Sequence, residues 1–122
     1  MTRQILLTLL LLLASCTSAM AQDTYYMDKA NGYMREAEYY TKQAEGYDRE
    51  ADYYNRKAQG YLRDAERYSR DNKRDKVATY TRWAQEASDK ANTRMRWAKE
   101  ARDKAELRMK WAREAMEKAR RR

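Results

Sequence analysis

The chain contains no proline, no histidine and no phenylalanine, and only three glycines and one cysteine in 122 residues. Without proline, nothing interrupts a long helix by removing a backbone donor. Without histidine, the commonest general base is missing. A single cysteine, Cys16, excludes an internal disulfide, and the lack of Cys and His beyond it excludes an ordinary zinc site. No glycine-rich phosphate loop and no serine paired with a base occur either. The expectation is therefore a protein that is not an enzyme and that uses neither metal nor cofactor. Branched aliphatic residues are scarce outside one N-terminal leucine run, so a thick globular core is not expected.

What is abundant is charge, alanine and tyrosine. Charged residues make up 38% of the chain, and with Ala, Glu, Lys and Arg they give the composition of a long helix or coiled coil. The opening segment, MTRQILLTLLLLLASCTSAMAQ, joins Arg3 to an apolar stretch from Ile5 to Leu13. That stretch is too short to span a bilayer and has the form of a secretory signal. Residues 1–21 read as a cleaved signal peptide with an Ala19-Met20-Ala21 site. A second reading ends the signal at residue 15, because Leu13-Ala14-Ser15-Cys16 has the form of a lipobox, making Cys16 the lipidated first residue. Export is expected in both cases: an outer-membrane-anchored lipoprotein in one, a soluble periplasmic or secreted protein in the other.

Beyond residue 24 the apolar residues keep a 4-3 rhythm. Ala30, Ala37, Ala44, Ala51, Ala58 and Ala65 occupy position a of a heptad, and Tyr33, Tyr40, Tyr47, Tyr54, Tyr61 and Tyr68 occupy d. Arg35, Lys42, Arg49, Arg56, Arg63 and Arg70 fall at f as a basic stripe. A second period of fourteen lies over the heptad, with c alternating between Tyr25, Tyr39, Tyr53 and Gly32, Gly46, Gly60. A helix-interior glycine costs about 1 kcal/mol relative to alanine, which suggests that something bulky needs the space.

Residues 69–76 contain no apolar side chain, and Asn72 is expected as a left-handed cap, with Asp75 as the next N-cap. The rhythm then resumes at Val77 and Tyr80 and continues through Ala119. The shift of phase across this stretch is too large for one uninterrupted coiled coil, so a turn is predicted. In the second segment a is always Ala, d alternates Ala with Arg94 and Arg108, and Trp83, Trp97 and Trp111 flank the seam.

The predicted fold is thus all-α: a long antiparallel two-helix coiled-coil hairpin on heptad and fourteen-residue repeats. Its parts are an Ala/Tyr helix over 24–70, a polar turn over 71–75 and a basic Ala/Trp/Met helix over 76–121. The expected inter-helix packing sets Trp83 against Gly60, Trp97 against Gly46 and Trp111 against Gly32. The same register places Lys90, Lys104 and Lys118 opposite Tyr53, Tyr39 and Tyr25. So thin a seam buries little per residue, so a homo-oligomer is expected.

Residues 23–70 carry nine basic and ten acidic residues, net −1, whereas residues 71–122 carry seventeen and nine, net +8. The asymmetry points to an anionic partner for the second half. Behind a signal peptide nucleic acid is disfavoured, and envelope polymers or lipid headgroups are expected instead. The residues expected to contact them are Arg94, Arg96, Lys99, Arg102, Arg108, Lys110, Arg113, Arg120, Arg121 and Arg122.

A lipobox-like Leu13-Ala14-Ser15-Cys16, an Ala-rich heptad rod and a basic C-terminal end together resemble the plan of the small murein lipoproteins of Gram-negative outer membranes. That resemblance implies a lipid anchor at one end and attachment to peptidoglycan at the other. In that family a C-terminal lysine makes the bond, whereas this chain ends in Arg122 with Lys118 as its last lysine. What the resemblance implies here is therefore non-covalent attachment. The expected function is a structural or tethering element of the bacterial cell envelope. The alternative is an exported protein-interaction module, adaptor or periplasmic chaperone-like, docking a partner helix on its Tyr/Gly face.

Overall fold

The computed structural model describes residues 2–121, with side chains from Gln22 onward. The predicted leader over 1–21, the lipidation site at Cys16 and the terminal Arg122 lie outside the described side chains. Two long helices pack against each other as a hairpin: α1, Thr2–Arg70, and α2, Arg74–Arg120. No strand occurs among the described residues. Ala, Glu, Lys, Arg and Gln supply high helix propensity throughout, and the three glycines lie in α1.

The helices separate at a three-residue turn, shorter than the 71–75 expected from the sequence. Asn72 adopts φ 57°, in the left-handed region. The Lys73 N–H donates to the Tyr68 carbonyl at 3.0 Å and the Asn72 N–H to the Ser69 carbonyl at 3.2 Å. These two bonds make a Schellman cap, which satisfies carbonyls that the end of α1 would otherwise leave unpaired. Helix α2 restarts at once, because the Lys73 carbonyl already accepts from the Val77 N–H at 3.1 Å. Asp75 is accordingly not the N-cap. It sits inside the first turn, where its carboxylate opposes the positive end of the helix dipole.

Among the residues whose side chains are described, the buried apolar ones are all alanines. In one compact unit, formed by residues 1–38 with 105–122, they are Ala30, Ala37, Ala105, Ala112 and Ala115. In the other, residues 39–104, they include Ala44, Ala51, Ala58 and Ala65 from α1 and Ala84, Ala91 and Ala98 from α2. Small side chains at these positions let the backbones approach closely, while each d tyrosine stays half-buried beside them. Ala44, Ala98 and Ala101 form one such cluster, closed on its flank by Tyr47.

Candidate functional site

Aromatic contacts between α1 and α2 recur at intervals of fourteen residues. In the first unit Tyr33 meets Trp111 with ring centroids 5.6 Å apart. In the second, Tyr47 meets Trp97 at 5.5 Å and Tyr61 meets Trp83 at 5.7 Å. All three pairs are edge-to-face, the geometry that ring quadrupoles favour. The antiparallel pairing is the expected one, displaced by a single residue.

That displacement overturns the proposed role of the glycines. A Cβ placed on Gly32, Gly46 or Gly60 would meet nothing within 4 Å, so no indole fills their space. The half-exposed tyrosine that follows each glycine takes the indole instead, because at d it lies nearer the seam than c does. The lysines move likewise. Lys90 lies over Tyr54 at 5.6 Å, Lys104 over Tyr40 at 5.6 Å and Lys118 over Tyr26 at 5.9 Å. The cation–π contacts expected at Tyr53, Tyr39 and Tyr25 thus form one residue further on.

Of the ten basic residues assigned to an anionic partner, Arg122 lies outside the described residues and the other nine divide into three groups. Arg94 places Nε 2.7 Å from Glu50, Arg102 places a guanidinium nitrogen 2.7 Å from Asp48, and Arg108 places Nε 2.8 Å from Glu36. Arg94 and Arg108 also lie 4.6 Å over the rings of Trp97 and Trp111, and their side chains are 23% and 20% exposed. These two are held against the facing helix, whereas Arg102, with a side chain 52% exposed, pairs with Asp48 at the surface. Arg94 and Arg108, at d beside the seam, each find a carboxylate on the facing helix. The signal was present in the sequence, since Glu36 and Glu50 share the fourteen-residue spacing of Arg108 and Arg94.

Arg96, Lys110, Arg113 and Arg120 stand exposed without an ion-pair partner among the described residues. Lys99 reaches Asp103 at 3.6 Å and Arg121 reaches Glu117 at 3.9 Å, both as solvated pairs along one helix and thus of little energetic weight.

Two recesses of the same make-up flank the aromatic contacts, a feature that reading by heptad position missed. One, of about 280 Å³, is lined by Tyr54, Tyr61 and Trp83 with Lys57, Lys90 and Glu86. The other, of about 230 Å³, is lined by Tyr26, Tyr33 and Trp111 with Lys29, Lys118 and Glu114. Each residue of one is replaced in the other by the same type 28 positions away. Lys57 and Lys29 hydrogen-bond Tyr53 and Tyr25 respectively, and this contact is the main cause of their raised pKa. Their ammoniums lie 5.0 and 5.1 Å from those rings.

Among the described residues no group of acidic, Cys and His side chains is arranged to hold a metal ion, and no helix is long and apolar enough to cross a membrane. Set beside known protein families, curated proteins and solved structures, the chain matches none of them.

Proposed function

We propose that the protein is an exported, self-associating coiled-coil tether of the bacterial cell envelope, binding anionic wall polymer or lipid through its basic C-terminal half. Export rests on the leader sequence, and anchoring on its Leu13-Ala14-Ser15-Cys16 segment. The observation that carries the binding reading is the division of the cations. Arg94, Arg102 and Arg108 are spent on Glu50, Asp48 and Glu36, whereas Arg96, Lys110 and Arg113 remain exposed and unneutralised. A surplus of exposed charge of one sign draws counter-charged polymers or surfaces, and salt screens that attraction.

Sedimentation with isolated cell wall, and separately with vesicles containing anionic lipid, tests this at low and high salt. Binding at low salt that is lost at high salt is the expected result. No sedimentation with either at low salt overturns the tether.

A second reading has its own support. Tyr25, Tyr39 and Tyr53 are 54%, 60% and 53% exposed, a spaced aromatic row suited to a partner helix in an interaction module.

A further inference from the structure

The four recess lysines share an unusual circumstance. Each ammonium is held beside a tyrosine: Lys57 at Tyr53, Lys29 at Tyr25, Lys90 at Tyr54 and Lys118 at Tyr26. None has a carboxylate within ion-pair distance among the described residues. They are positioned but not neutralised, the condition in which a cation attracts an external anion at the least ordering cost.

The remaining walls narrow the anion's chemistry. A bare phosphate or sulfate would leave the aromatic surface of a recess of about 280 or 230 Å³ unused. Spaces of this size lie just under the range that holds a drug-sized molecule and suit one small cyclic unit. The indoles are braced, Trp83 by Tyr80 at 5.0 Å and Trp111 by Arg108 at 4.6 Å. Glu86 and Glu114 put a carboxylate in each recess, an acceptor for hydrogen bonds from the hydroxyls of a sugar. Ring surface, a hydroxyl acceptor and two lining lysines together match a sugar ring that carries an acid group.

We propose that each recess binds one acidic sugar unit of a carboxylated polysaccharide. The sugar's C–H face packs on the tryptophan and tyrosines, its carboxylate pairs with the two lysines, and its hydroxyls donate to the glutamate. This deepens, and rests on, the reading of an anionic envelope polymer as partner.

Titration of the whole protein with a four-unit oligogalacturonate, followed by tryptophan fluorescence, tests the assignment. A neutral four-unit glucan and an oligothymidylate of matched charge serve as comparisons. A saturable change with the uronate, and none with the glucan, is expected. Replacing Lys29, Lys57, Lys90 and Lys118 by Gln weakens uronate binding at least about tenfold, the loss of charge-assisted hydrogen bonds. Removing the same charge from the exposed Arg35, Arg49, Arg63 and Arg70 of α1, which lie outside the anion-binding set, as Arg→Gln changes it less than about twofold. All eight positions are solvent-exposed, and unchanged helicity and melting verify that both variants fold.

Equal weakening by the two sets shows diffuse charge attraction and overturns the recess sites, as does tighter binding of the oligothymidylate. Absence of sedimentation with both cell wall and anionic vesicles, with uronate binding intact, refutes the tether and leaves the recesses standing. Wall sedimentation without a uronate response does the reverse.

Discussion

Gly46 sits in the interior of α1, and a Cβ added there meets nothing within 4 Å. An alanine at this position therefore gains helix propensity without creating a clash. Gly46→Ala is expected to raise stability by about 0.5–1 kcal/mol, measured by thermal or urea unfolding. Had Trp97 occupied the glycine's space, the same change would destabilise. The sequence offered no way to separate the two outcomes, because glycine and the following tyrosine share the same period. Only the rotation of the helix about its axis decides which of them faces the indole. Residue type was legible in other respects: among the described residues, every buried position is one of the alanines that the heptad placed at a or d. The arginines at d were harder to read, since a charged residue beside the seam belongs to the interior only when its partner on the other helix is known.

At the scale of the elements, the end of α1 was the best-marked feature. A polar run containing Asn fixes where the chain must reverse, and Asn72 takes the left-handed conformation expected of it. The beginning of α2 was less legible, because consecutive cap and restart share Lys73, leaving no residue between them for a side-chain N-cap. The same corner carries a titration signature. Tyr68 has a lowered pKa, chiefly through its hydrogen bond with Arg67 and then that with Tyr80, while Tyr80 is raised by the hydrogen bond with Tyr68. Lys76 adds a cation 4.9 Å from the Tyr68 ring. A spectrophotometric pH titration should show one tyrosine ionising ahead of the rest, and Arg67→Gln should shift that early phase upward. The linkage sign follows. Because the folded value of Tyr68 lies below the ordinary value of about 10, its ionisation favours the folded form as pH rises through that window, fully so above the unfolded value. Tyr80, raised, acts in the opposite sense over the alkaline range. Neither effect operates at neutral pH, so Arg67→Gln should leave neutral-pH melting little changed.

For the whole molecule, the helical hairpin was readable because composition, period and phase shift all pointed the same way. The charge imbalance between its halves was equally plain, but a count of charges does not say which are available to a partner. The pairing with α1 supplies that distinction, and it divides the basic residues into two sets with opposite expected phenotypes. Arg94→Gln, Arg102→Gln and Arg108→Gln together leave Glu50, Asp48 and Glu36 without their cross-helix partners. Because these pairs are partly exposed and two of the arginines also pack on tryptophan, a loss of about 0.5–1 kcal/mol per site is expected. The corresponding change of Arg96, Lys110 and Arg113 to Gln removes the same formal charge from positions with no such partner. The first set should lower the melting temperature and, at a temperature where the hairpin is still folded, change cell-wall and vesicle sedimentation little. The second should leave melting unchanged and reduce sedimentation at low salt. Equal loss of sedimentation from both sets would mean that net charge alone governs attachment, and that internal pairing does not select which cations reach the partner.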